Sequence, residues 1–242
     1  MNSGCEASGC RDKRGEHIST LAEEFDLFRE WAACFHVILK AEHLRLFRIY
    51  MDELWAWNQH INITGAATRL EVLVNLFLDS LIPGPYLPET GNLLDVGSGG
   101  GFPGIPLKIY KPDLTVDLLE AKSKRVSFLK HVIRLLRLEE IRVVRGRIGT
   151  KEVPTGRDWY DVVTARALAS AHQTVLWCAP FLRQGGMLVL FLGSEADKAL
   201  TSCEGVLNEH SMVVGKRIPY LLPSQKARRN AVIIKKLTAG SQ

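Results

Sequence analysis

With 242 residues, 46% of them hydrophobic and 24% charged, the chain is long enough to bury a substantial core without cross-links. Five scattered cysteines (Cys5, Cys10, Cys34, Cys178, Cys203) form no C-x-x-C pair, which argues against a disulfide framework or a zinc site; free thiols and no metal are expected. The net charge of +5 and pI near 9.0 permit a polyanionic partner without requiring one. No apolar run reaches the length of a membrane span and the N-terminus has no apolar signal core, so a cytoplasmic protein is expected, and it is read as a monomer.

Residues 1–16 are polar and glycine-containing, the composition of a loose tail. From Ile18 to Trp57 apolar residues recur at helical spacing: Leu21, Phe25, Phe28, Trp31 and Phe35, then Leu44, Phe47, Met51, Leu54 and Trp55. Two helices follow from this, and an aromatic stripe at such spacing is core more often than a base-stacking platform. Asn58 to Ala67 is a polar break, and Thr68 is placed to cap a third helix reaching about Leu81. Pro83, Gly84, Pro85 and Pro88 then interrupt the chain, which divides it into a helical cap (17–90) and a main domain (91–242).

From Gly91 short apolar runs alternate with amphipathic stretches: strands at 92–96, 114–119, 141–145, 160–164 and 187–192, with helices at 103–110, 122–136, 170–182 and 195–208. Two further runs, 211–219 and 230–236, lack an intervening helix and predict a terminal hairpin. The reading is an α/β, doubly wound, mostly parallel seven-stranded sheet with one antiparallel addition, an addition typical of methyltransferases with this sheet.

The first strand of that sheet ends in Asp95-Val96-Gly97-Ser98-Gly99-Gly100-Gly101-Phe102-Pro103-Gly104. A strand that breaks into glycine before a helix presents bare backbone N–H groups to a ligand, with Pro103 suited to the first helical turn. Residues 99–104 match the G-x-G-x-x-G dinucleotide fingerprint, but the strand closes on Asp95 and the pair Gly97-x-Gly99 comes first. That order favours S-adenosylmethionine over NAD, since an acid beside the loop can meet an ammonium group and would repel a pyrophosphate. Glu120, closing the second strand about twenty residues on, is placed to accept both ribose hydroxyls of either cofactor. Ile148 and Gly149, after the third strand, fall where such folds hold an adenine by its edge.

Arg166 ends the fourth strand at the carboxyl edge of the sheet, where a cation can grip a phosphate or a carboxylate. Basic clusters at Lys122, Lys124 and Arg125 and at Lys226, Arg228 and Arg229 lean together toward a polyanion. No Asn-Pro-Pro-Tyr-like stretch and no Pro-Cys at the fourth strand occur, and Cys178 lies inside a predicted helix, so no covalent nucleophile is proposed.

Asp95-Val-Gly-Ser-Gly-Gly-Gly-Phe-Pro-Gly-Ile-Pro-Leu, preceded by Trp57-Asn-Gln-His-Ile-Asn-Ile-Thr and Leu78-Asp-Ser-Leu, resembles the ribosomal RNA small subunit methyltransferase G family, also called glucose-inhibited division protein B. Lys124-Arg125-Val-Ser-Phe-Leu, Arg166-Ala-Leu-Ala-Ser, Gly185-Gly186 and Arg229-Asn-Ala-Val-Ile-Ile-Lys extend the resemblance over about residues 50–236. It implies a class I fold that uses S-adenosylmethionine to methylate N7 of one guanosine in the decoding region of 16S rRNA. By the same resemblance Gly97, Phe102, Ile148, Gly149 and Arg166 would line the cofactor site; the residues themselves add Asp95, Ser98, Gly99 and Glu120 to it, assign Lys124, Arg125, Arg228 and Arg229 to the RNA, and place Asp79 near the guanine ring as it gains positive charge. Leu76, Gly149 and Leu192 depart from the family's usual His, acid and Lys. Two other functions stay open at this stage: a methyltransferase for small molecules or proteins, and an RNA-binding factor without activity.

Overall fold

The computed structural model describes residues 21–150 and 159–238. The expected tail over residues 1–16 lies outside the described residues.

The amphipathic stripe of the N-terminal region forms α1 (Leu21–Cys34) and α2 (Ala41–Asn58). Phe25 and Phe28 of α1 and Phe47, Tyr50, Met51 and Leu54 of α2 are buried, so the aromatic stripe is core. Phe28 meets Phe47 edge-on at 5.3 Å, and Tyr50 stacks on Phe77 at 5.1 Å. Thr68 accepts the Glu71 N–H at 3.1 Å and starts the third helical segment as expected. That segment is not uniform: α3 (Arg69–Val72) runs into a π turn (Leu73–Leu78) and then α4 (Asp79–Leu81).

The sheet contains β1 (Gly91–Val96), β2 (Leu114–Glu120), β3 (Ile141–Arg145), β4 (Tyr160–Arg166), β5 (Leu182–Leu192), β6 (Met212–Tyr220) and β7 (Arg229–Lys236) in the order β3-β2-β1-β4-β5-β7-β6. The first five strands run parallel, and β7 is antiparallel to both β5 and β6, so the terminal hairpin forms. Side chains alternate across the sheet: Leu93, Val162 and Val189 join the cap in one core, while Leu94, Val163 and Leu188 join a second core on the other face. With both faces covered, the strands read as nearly continuous apolar runs. Edge strand β6 carries Lys216, Arg217 and Pro219, residues that discourage pairing with another sheet.

The connecting helices α5 (Gly104–Tyr110), α6 (Ser123–Leu136), α7 (Ala171–Cys178), α8 (Ala196–Thr201) and α9 (Glu204–Glu209) differ locally from expectation. Pro103 precedes α5 rather than opening it, through a cis Phe102–Pro103 peptide. Pro180, which cannot donate, stops α7 at Cys178. The expected 195–208 helix divides where Ser202 and Cys203 side chains both donate to the Ala199 carbonyl. Strand β5 begins earlier than expected, at Leu182, with an irregular register opposite Tyr160 and Val162 that its Gly185-Gly186 pair obscures in the sequence.

The helical cap and one face of the sheet share a single core, with Phe77 in ring contact with Phe28, Phe47, Tyr50 and Phe102. Phe77→Ala is expected to cost about 3–5 kcal/mol in urea unfolding, with cap and sheet still melting in one transition; two separated transitions would contradict the shared core.

Candidate active site

The glycine loop is pinned from several sides. The Gly97 and Ser98 N–H groups both donate to Leu119 O, at 2.9 and 3.1 Å, tying the loop to the end of β2. Glu120 follows: one carboxylate oxygen accepts the Gly99 N–H and the other the Lys122 N–H, both at 2.8 Å. From the cap, the Tyr50 hydroxyl donates to Gly100 O. Gly97 and Gly99 take φ of +72° and +59°, a region open to glycine, and Gly97 faces solvent. A side chain at Gly97 would also press on Leu168 at 3.0 Å.

This bare surface, with a carboxylate at its rim, fits a nucleoside that carries an amino-acid chain. Arg125 reaches the neighbourhood of Gly99 and is half-buried there.

Asp95 lies behind the loop. It is 0% exposed, and its carboxylate accepts the Thr164 hydroxyl at 2.9 Å and the Gly104 N–H at 3.1 Å, while the Ser98 hydroxyl donates to its backbone oxygen. The expectation that it meets a ligand's ammonium group directly is therefore corrected: the side chain joins β1, β4 and the start of α5. Phe102 is likewise turned inward, 5% exposed, stacked on Tyr50 at 5.5 Å and with the Arg166 guanidinium 5.4 Å from its ring centre. Ile148 is buried in the second core. Gly149 is exposed, with φ +80°, and an added Cβ would stand 2.7 Å from the Trp177 ring.

At the carboxyl ends of β4 and β5, beneath the cap, lies a cavity of about 550 Å3. Thr64 to Ala66, Glu71, Asn75, Leu76 and Asp79 line it from the cap, and Arg166, Ala167, Phe191, Leu192, Tyr220 and Arg229 from the sheet. Its polar centre is Asp79, 2% exposed. One Asp79 oxygen accepts from the Tyr220 hydroxyl at 2.8 Å and Arg229 at 3.1 Å; the other accepts from Arg166 at 3.2 Å. Arg166 also donates to Asn75 O, and Arg229 to the Asn75 side-chain oxygen. The buried carboxylate and hydrogen bond push the Tyr220 hydroxyl far above its ordinary range, burial first. Ala167 takes φ +50° beside Arg166, a strained conformation of the kind that collects at functional sites.

Of the residues assigned to RNA, Lys124 and Arg228 are exposed, whereas Arg229 is committed to Asp79 and Asn75 inside the cavity. Tyr50, Asn75, Thr164 and Tyr220 escaped the sequence reading. Each acts through a partner distant in the chain, and no local pattern marks it. Glu71 carried a signal, the Thr68-x-x-Glu71 spacing of a helix start.

The switch point of the sheet falls between β1 and β4, and the glycine loop and cavity open at the strands' carboxyl ends on either side of it. This is the architecture of the class I S-adenosylmethionine-dependent methyltransferases. TYW2 from M. jannaschii, solved in complex with AdoMet, superposes with a TM-score of 0.53 at 14% identity, covering 65% of this chain and 73% of that one. TYW2 from P. horikoshii, in complex with MeSAdo, gives 0.53 at 10% identity, over 66% and 62%. The family profile described as rRNA small subunit methyltransferase G matches residues 43–228. Proteins named Ribosomal RNA small subunit methyltransferase G are similar: 38% identical in Alkaliphilus metalliredigens, over 78% of this chain and 80% of that protein, and 36% in Acetivibrio thermocellus, over 87% of each. The chain belongs to the rRNA small subunit methyltransferase G family.

Burial pushes the Asp95 carboxyl up to about 6, against the lowering effect of its hydrogen bonds. Folding thus favours the protonated form, a contribution that is full below the unfolded value near 3.8 and lost as pH rises through about 6. Between about pH 5 and pH 7 the native protein should lose on the order of 1 kcal/mol relative to Asp95→Asn in urea midpoints; parallel profiles would contradict a carboxyl buried in this way.

Proposed function

We propose that this chain transfers a methyl group from S-adenosylmethionine to N7 of one guanosine in the decoding region of 16S rRNA, acting in the cytoplasm on the small ribosomal subunit. The observation that carries the reading is the juxtaposition, in a member of this family, of an open glycine loop at β1 with a cavity of about 550 Å3 at the ends of β4 and β5. That volume suits a single purine base. A base within a stacked helix cannot enter such a cavity, so the target nucleotide is received unstacked.

S-adenosylmethionine, when bound, supplies a methyl carbon made electrophilic by its sulfonium. Guanine N7 carries an in-plane lone pair and no proton, so the chain needs neither a general base nor a covalent nucleophile. Cys178 is consistent with this: it is 0% exposed, and burial pushes its thiol up to about 12. What remains for the protein is orientation, an effect worth roughly 7–11 kcal/mol in well-aligned systems. Gly97 and Gly99 would seat the cofactor against bare backbone, with Glu120 at the ribose. Asp79 is a positioning residue in this reading, acting on the base only through Arg166, Arg229 and Tyr220. The same carboxylate offsets one of the two guanidinium charges and so weakens their opposition to a ring gaining positive charge.

Methyl transfer from labelled S-adenosylmethionine to small subunits from a strain lacking this activity, followed by cleavage mapping of N7-methylguanosine, should reveal one modified guanosine in the decoding region. Cofactor binding without RNA methylation would shift the function to another acceptor or to an inactive RNA-binding factor. Lys124 and Arg228 are the exposed cations proposed to meet phosphates. Lys124→Ala and Arg228→Ala should each lower the slope of log affinity against log salt by about 1 while cofactor affinity is unchanged.

A further inference from the structure

The cavity beneath the cap contains two carboxylates in different states. Asp79 is buried and its oxygens are engaged by two arginines and a tyrosine. Glu71 is half-exposed; one of its oxygens accepts the Ala67 N–H at 2.7 Å, and the other has no hydrogen-bond partner among the described residues. Glu71, Asn75 and Asp79 all line the cavity at four-residue spacing. An α turn repeats every 3.6 residues and a π turn, with i→i+5 bonds, takes more than four. The π turn at Leu73–Leu78 therefore keeps these three side chains on one line, where an unbroken α-helix would rotate Asp79 away from Glu71. Across the cavity, Phe191 and Leu192 offer an apolar wall against which a base can lie.

A carboxylate with free lone pairs in such a slot is selective among bases. Guanine presents N1–H and the N2 amino group side by side, two donors that one carboxylate group accepts together, whereas adenine offers an acceptor at N1 and only one amino donor. We infer that Glu71 reads the N1–H and N2 amino edge of the target guanine and so selects guanine over adenine. The inference rests on the function proposed above. It also agrees with the regiochemistry: N7 lies on the opposite edge of the ring, so a base held by Glu71 keeps N7 free.

The test uses small subunits reconstituted with 16S rRNA carrying either guanosine or inosine, which lacks the N2 amino group, at the target position. The wild-type chain should prefer guanosine over inosine in kcat/KM by roughly 5- to 150-fold, the discrimination of a good bidentate base contact. Glu71→Gln, which retains an amide oxygen for the Ala67 N–H, should fall on guanosine to near the inosine rate, with melting temperature and cofactor affinity unchanged. Glu71→Gln that keeps the full preference for guanosine would overturn the inference and leave the function intact. Wild-type protein that methylates neither substrate would overturn the function and this inference together.

Discussion

A carboxylate that loses all its water must be repaid by donors, and Asp79 obtains them from three distant places in the chain. Arg166 arrives at the end of β4, Tyr220 at the end of β6 and Arg229 at the start of β7. Removing any one would take a hydrogen-bond donor from a buried carboxylate. The arrangement forces the cap's third segment, the parallel half of the sheet and the terminal hairpin to meet at one point, and the cavity is the space left around that point. The antiparallel hairpin therefore has a role beyond completing the sheet: it delivers two of the three donors.

A second constraint works on the other side of the switch point. The glycine loop has almost no side chains with which to hold itself, so its shape is imposed by neighbours. Leu119 and Glu120 hold it from β2, Asp95 and Thr164 from below, and Tyr50 from the cap. Tyr50 also stacks on both Phe77 and Phe102, which meet each other at 5.8 Å, and the Arg166 guanidinium lies over Phe102. Cap, loop and cavity are thus coupled through one aromatic stack, a rigid link between the surface suited to a cofactor and the cavity suited to a base. Rigidity of this kind is what a reaction without acid–base or covalent catalysis demands, because alignment is its main source of acceleration.

Much of this was legible in the chain itself. Apolar runs of period two or unbroken apolarity, alternating with helical stripes, specify the α/β sheet because each element must bury one face or two. The glycines after an acid-terminated strand read as a tight turn of bare backbone, and that turn forms, with Gly97 and Gly99 at positive φ and Glu120 at the next strand end holding it. What local pattern could not distinguish was direction. Asp95 and Phe102 sit in the most informative motif of the chain, yet both point inward, because the same few residues must also anchor the loop to β4 and to the cap. Arg229 belongs by sequence to a basic cluster but by position to a buried ion network.

Sequence alone therefore determined the sheet, the helical cap, the glycine loop and the family, all of which depend on composition and spacing within a few dozen residues. Tertiary structure alone decided the cavity: Asp79 and Arg229 are separated by 150 positions, and their ion pair exists only because β7 inserts antiparallel between β5 and β6. It also decided which carboxylate is occupied and which is open. Whether an acid is spent on internal donors or left for a ligand depends on the groups that folding brings within hydrogen-bond reach, and no local pattern encodes that distance.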